Sequence, residues 1–400
     1  LAQNGYQVRI FCFLKPGLPE YEERSGYTLV RADQRPALTR FFDDKIAPLW
    51  KKKRPEVEVA PQLHERWPEE REPVRPCPRP PARPLPLDFL PGEQDYLAYV
   101  RKINSVWARL AIEWGPQICQ AHDADALEAA RDTAAACAAK LIYDAHELWS
   151  DQPFIYSQAT ADYWDRLEAQ CVPSCNALLT VSQPFADELG ARWKRTLTPL
   201  HNCQQYRPLT RPLGNLRHLS EGKPVALYQG VLGLERGLEE LIASARHQDQ
   251  VHLAIRGFGA MRAQLEHMAK DLPNVHILPP CPSEEIVEYA TQGDLGIIPF
   301  LPNCLNHYLN TPNKLFEYMM AGLPIAAAHL PDLERFVAGN QIGMLFDPYS
   351  PQDMARAIVE LWNHPERSQM GERAHQLCKD RYNWECEGQR LLECYRKVLG

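Results

Sequence analysis

The stretch His307-Tyr308-Leu309-Asn310-Thr311-Pro312-Asn313-Lys314-Leu315-Phe316-Glu317-Tyr318-Met319-Met320-Ala321-Gly322-Leu323-Pro324-Ile325 gathers residue types that suit a sugar–phosphate group. Asn310, Thr311 and Pro312 are turn formers at the start of a helix, where free backbone N–H groups favour an anion. Lys314 adds a positive charge in the first turn. Glu317 lies one turn further on, where a carboxylate can accept bonds from hydroxyls. Gly322-Leu323-Pro324 closes the helix, and Ile325-Ala326-Ala327-Ala328 reads as a buried parallel strand.

A second group of candidates lies earlier. Gly230 opens a turn that ends in Glu235-Arg236-Gly237 at a helix start, where amides also point at anions. Gly257-Phe258-Gly259 follows a strand but lacks the third glycine of a dinucleotide fingerprint. His122-Asp123 and His146-Glu147 each end a short apolar strand. Asp123-Ala124-Asp125 spells D-x-D, a three-letter pattern too short to establish a metal site. Cys171 and Cys175 form a C-x3-C pair with no second pair nearby, whereas structural zinc wants two. No metal is expected.

These residues need strands to carry them. Tyr6 to Phe13, Ile118 to Asp123, Leu141 to Asp144 and Ala177 to Val181 read as strands. Helices are expected over Gln94–Trp114, Ala124–Lys140 and Gln183–Leu189. The first of these shows aromatic and aliphatic residues at three- and four-residue spacing, as a core-facing helix does. Pro208 to Gly222 is rich in Pro, Gly and Arg and reads as a hinge. A second alternating run follows, with strands at 225–230, 252–257, 274–278, 294–299 and 325–328. Helices are expected over 354–362, 368–380 and 385–399. Such alternation builds parallel, doubly wound sheets that bind ligands at the carboxyl ends of their strands.

The 400 residues, 45% hydrophobic and 24% charged, allow two domains of ordinary globular make-up. A net charge of −7 argues against a nucleic-acid partner. No apolar run reaches the eighteen or so residues of a membrane span. Twelve scattered cysteines fit reduced thiols in a cytosol. Residues 48–92 are the compositional outlier, with Lys51-Lys52-Lys53-Arg54 at one end and the proline–arginine run 75–84 beyond. Prolines exclude sheet and long helix there. A mobile surface insertion is expected, its basic residues offering peripheral contact with anionic lipid at the inner membrane face.

The 307–325 stretch resembles the nucleotide-sugar site of the retaining "group 1" (family 4) glycosyltransferases of GT-B fold. Their pattern is Glu, seven residues, Glu, then a helix ending before Gly-x-Pro. Glu317 falls on the second Glu and Leu309 on the first. Gly230–Gly237 is similar to the family's phosphate loop, Leu253–Gly259 to its strand ending in Gly-x-Gly, and Arg381–Leu399 to its closing helix. The resemblance implies an α/β chain of two Rossmann-like domains facing across a cleft. Residues 1–207 would be the acceptor side, 208–222 the hinge and 223–380 the donor domain, with 381–400 crossing back. It implies that Arg236 and Lys314 stabilise the leaving diphosphate and that His122 faces the donor sugar. Gly230, Gly257, Leu309, Thr311, Pro312, Asn313 and Glu317 would bind the donor, and Asp123, His146 and Glu147 would lie toward the acceptor. The donor would be a UDP-, GDP- or ADP-sugar, the acceptor a glycan, a lipid-linked glycan or a small molecule, with no cofactor. In the family a strand and a glycine-rich turn precede the segment at Leu1, so the chain reads as trimmed. A non-catalytic nucleotide-sugar-binding subunit and an epimerase of the same fold stay open as alternatives.

Overall fold

The computed structural model describes residues 1–13, 19, 21–24, 26–32, 76–209 and 214–400. The chain opens on a short turn, Ala2–Asn4, stopped by Gly5 in the left-handed region (φ 86°). Strand β1 (Val8–Phe13) then pairs in parallel with β3 (Tyr27–Ala32), and β2 (Tyr21–Arg24) runs antiparallel along the other edge of β3. A four-stranded parallel sheet follows, β4 (Ile118–His122), β5 (Lys140–Ala145), β6 (Ala177–Thr180) and β7 (Thr198–Pro199), in sequential order. The helix Glu93–Trp114 presents Leu97, Val100, Ile103, Asn104 and Trp107 to this domain's core, as its spacing predicts.

The second sheet has six parallel strands, β8 (Val225–Val231), β9 (His252–Phe258), β10 (Val275–Leu278), β11 (Leu295–Ile298), β12 (Ile325–Ala328) and β13 (Gly343–Phe346). Their order is β10-β9-β8-β11-β12-β13. Every residue of β11 and β12 is buried, as expected where helices cover both faces. The sequential first sheet and the reordered second one give the two α/β domains expected from the sequence.

The last helix, Trp384–Leu399, leaves the second domain and packs on the first. Tyr395 joins Ile142 of β5 and Leu179 of β6 in one apolar cluster. His201 Nδ1 lies 3.1 Å from Glu387 Oε1, and Trp384 N donates to Gln204 O at 2.9 Å.

The proline-rich stretch departs from expectation where it is described. Residues 76–92 form neither helix nor strand before the Glu93 helix, but they are fastened down. Cys77 is buried in the second domain's core and donates its N–H to His329 O at 3.1 Å. Arg83 donates to Gln152 O and Pro153 O in the first domain, and Pro86 O accepts from Gln158 N at 2.8 Å. Leu85 and Phe89 pack against the first core. This part is a strap across both domains, not a loose insertion. Residues 48–75, with the lysine run, lie outside the described residues, as do 210–213 of the expected hinge.

Candidate functional site

The helix Asn313–Met320 is positioned by one tyrosine. Gly296 in β11 leaves room for the Tyr318 ring, since a Cβ there would fall 2.5 Å from it. Buried Tyr318 Oη in turn accepts the backbone N–H of Gln229 in β8 at 2.9 Å. With the helix locked to β8 and β11, Lys314 and Glu317, three residues apart, share the face above the end of β8.

Glu317 is 7% exposed and accepts from Gln229 Nε2 at 3.2 Å. Burial raises its pKa, against the pull of Lys314 and that hydrogen bond. Lys314 Nζ stands 5.0 Å from the Tyr228 ring centroid and 5.9 Å from that of Phe300. The Arg236 guanidinium covers Phe300 at 4.6 Å. Two cations therefore flank one aromatic ring. Among the described residues neither forms an ion pair or a hydrogen bond. Burial and the nearby Arg236 charge bring the Lys314 pKa down to about 8. His307, edge-on to Phe300 and bonded to Asn303 at 2.8 Å, stays neutral, its pKa pushed to about 3 by burial, Arg236 and Arg83.

The other candidates of this half divide by use. Gly230 lies beside Lys314, a Cβ there being 3.6 Å from Nζ. Gly257 is required by strand packing, because a Cβ would sit 1.8 Å from Gly230 O. The Thr311 hydroxyl is taken by buried Asp332, which Arg335 also holds at 2.7 Å. Pro312 is the N-cap residue and Asn313 is exposed beside it. The stretch before it is not a plain turn: Leu305–Leu309 is a short helix. Leu305 and Leu309 pack with the first domain's core, so the Leu309 side chain joins the domains and only its backbone faces other uses. Its carbonyl lies 3.4 Å from Ser182 Oγ, the N-cap of the helix Gln183–Trp193.

Across the cleft, β4 and β5 run side by side with His122 opposite Asp144. His122 Nδ1 lies 3.2 Å from His146 Nε2 and 3.4 Å from Asp144 Oδ2. Gln120 Nε2 donates to that carboxylate at 3.0 Å, and Tyr395 Oη of the last helix donates to Gln120 Oε1 at 2.6 Å. Burial lowers the His122 pKa; for His146 burial is outweighed by Asp144 and the pKa rises. Asp123 accepts the backbone N–H groups of His146 and Glu147 at 2.8 and 3.1 Å, which fixes the loop after β5. Its carboxylate thus serves that loop, while burial and Asp123 bring Asp125 up to about 7. Glu147 Oε2 accepts from Asn306 Nδ2 at 2.6 Å, and Asn306 Oδ1 accepts from Leu148 N at 2.7 Å. Burial raises the Glu147 pKa, and Arg236 pulls it down from across the cleft.

Phe300, Asn306 and Asp144 were not singled out by sequence. Asn306 adjoins the motif and carried a polar signal. Asp144 was visible only as the last residue of an apolar strand.

A six-stranded parallel sheet and a smaller parallel sheet, facing across charged groups and rejoined by a last helix, define the GT-B fold. Sucrose-phosphate synthase from Thermosynechococcus elongatus superposes with a TM-score of 0.72 at 16% identity, covering 100% of this chain and 90% of that one. Anabaena HepE, solved with UDP and glucose, gives 0.61 at 18% identity over 75% of this chain and 83% of its own. Residues 223–364, most of the second domain, match the family described as Glycosyl transferases group 1.

Among curated proteins, the chain is 25% identical to alpha-D-kanosaminyltransferase of Streptomyces kanamyceticus over 190 residues, 46% of this chain and 48% of that one. It is 30% identical to D-inositol 3-phosphate glycosyltransferase of Corynebacterium urealyticum over 143 residues, 34% of this chain. The chain thus spans about half the length of the first relative and 31% of the second. No described helix is long and apolar enough to cross a membrane. All twelve cysteines are free thiols.

Proposed function

We propose that the chain transfers a hexose from a nucleoside-diphosphate sugar to a hydroxyl acceptor, with the anomeric configuration retained. The observation that carries this reading is the pair of cations, Arg236 and Lys314, gathered at Phe300, neither of which forms an ion pair among the described residues. Burial and, after it, the like charge of Arg236 depress the Lys314 pKa, and both cost free energy until an anion joins the pair. A diphosphate supplies that charge. It gains more negative charge as the sugar departs, so the same cations act more strongly in the transition state than in the ground state.

In this reading Glu317 accepts the ribose hydroxyls, and the amides at the start of the Asn313 helix receive phosphate oxygens. His122 and His146 face the sugar from the other domain. A donor phosphate oxygen takes the acceptor's proton while the acceptor attacks the face that the diphosphate leaves. HepE, solved with UDP and with UDP-glucose, supports UDP as the first base to try. The acceptor is a glycan, a lipid-linked glycan or a small metabolite.

The test is release of free nucleotide from UDP-, GDP- and ADP-sugars, with and without acceptor alcohols. Acceptor-dependent release from one donor is expected. Tight nucleotide binding without release of any donor would instead make the chain a binding subunit. Conversion of the sugar without net release would make it an epimerase.

A further inference from the structure

The cleft end of the first sheet brings together three metal-ligating atoms, two of them on the histidines that the transfer reading turns toward the sugar and the third on Asp144, to which that reading gives no role. His122 Nδ1, His146 Nε2 and Asp144 Oδ2 lie 3.2, 3.4 and 3.4 Å from one another. They are the described group of three such side chains whose donor atoms converge. The triangle they form is nearly equilateral.

Its size carries information. Ligands about 2.0–2.1 Å from a tetrahedral ion stand about 3.3–3.4 Å apart. Adjacent ligands of an octahedral ion at the same bond length stand about 3.0 Å apart. The observed edges match one face of the tetrahedron. Two imidazoles and one carboxylate also suit zinc-like divalent ions, whereas magnesium and calcium take oxygen ligands.

We propose that His122, Asp144 and His146 form a zinc-type divalent metal site with three protein ligands and a fourth position open to water or a substrate oxygen. The ligands come from two parallel strand ends whose register sets His122 opposite Asp144. They do not include Asp123 or Asp125 of the D-x-D run. Asp144 is backed as a ligating carboxylate usually is, by Gln120 at 3.0 Å and, through Gln120, by Tyr395 at 2.6 Å. Gln120 Nε2 also lies 3.2 Å from His122 Nε2. Metal on Nδ1 leaves a proton on Nε2, so that contact gives way to solvent, which the 63% exposed His122 side chain reaches.

A shared proton between the two rings would use the same lone pairs without a metal, and experiment separates the two. The full chain is stripped with chelator, then titrated with zinc, cobalt(II) and magnesium by calorimetry and visible absorption. We expect one equivalent of zinc, one of cobalt with the intense visible bands of a four-coordinate ion, displacement of cobalt by zinc, and no magnesium binding. Asp144→Asn and His146→Ala should each weaken zinc binding roughly tenfold or more. His122→Gln alters an exposed side chain and keeps the test decisive if the buried-site variants do not fold. The absence of stoichiometric zinc or cobalt binding overturns the proposal. So do a six-coordinate cobalt spectrum and zinc binding that persists in His122→Gln but disappears when the thiols are alkylated. The readout is metal occupancy, so it stands apart from whether sugar transfer is observed.

Discussion

The two walls of the cleft are prepared differently. On the second domain, Arg236 and Lys314 crowd Phe300 with no carboxylate paired to them. On the first, polar groups are engaged with one another: Asp123 with two amides, Gln120 with Asp144 and Tyr395, Glu147 with Asn306. One wall stores unspent charge, and the other is a framework whose hydrogen bonds are already made. Charge that awaits a ligand gives affinity, whereas a fixed framework gives orientation, so lesions in the two walls should damage different constants.

The largest effect expected is on the framework side. His122→Ala should lower kcat on the order of a hundredfold with nucleotide affinity nearly unchanged, the mark of an interaction made mainly in the transition state. A folded variant with normal turnover removes His122 from the site and erases the contrast between the walls. Next come the cations. Arg236→Ala and Lys314→Ala should each weaken nucleoside-diphosphate binding about ten- to a hundredfold, roughly 1.5–3 kcal/mol for one charge-assisted hydrogen bond. Calorimetry with UDP and GDP checks this, and unchanged binding of both defeats the phosphate assignment.

A titration sharpens the same point. The free-state pKa of Lys314 is about 8, and a bound diphosphate raises it. Diphosphate affinity is therefore full below pH 8 and falls by up to about tenfold per pH unit above it, until the bound-state pKa is passed. Lys314→Arg keeps its charge and should flatten that slope. An identical slope in the two proteins would place the titration elsewhere. The smallest effect belongs to Glu317→Gln. It should cost about fivefold in affinity for a ribonucleotide and less for its 2′-deoxy analogue, since one charge-assisted bond is weakened rather than removed. Equal losses would give Glu317 a structural role beside Gln229.

The sequence made the Asn313 helix, β12 and the alternation of the second domain legible, because each has a clear period and turn residues at its ends. The helix Leu305–Leu309 escaped notice. Five residues hold no helix by local preference, and this one is held by Leu305 and Leu309 packing into the other domain. Asp144 read as a strand residue, because its partners appear only when β4 and β5 take their register. Gly257 read as a ligand glycine, and the register of β8 and β9 adds a packing reason that the sequence did not show, the carbonyl of Gly230. Between residues 76 and 92 composition excluded regular structure correctly. It gave no hint of the strap, whose anchors at His329, Pro153 and Gln158 are distant in sequence.

That strap is also a leash. Its main chain is tied to the second domain at Cys77 and to the first at Pro86. Nine residue steps separate these knots, so with both tied the anchors can stand no more than ~30 Å apart. The prolines between them hold φ fixed, which makes the tether stiff as well as short. Any opening of the cleft must either stay within that reach or first untie one knot, Cys77 from His329 or Pro86 from Gln158, and the width of the doorway is thus written in a segment that lines neither wall.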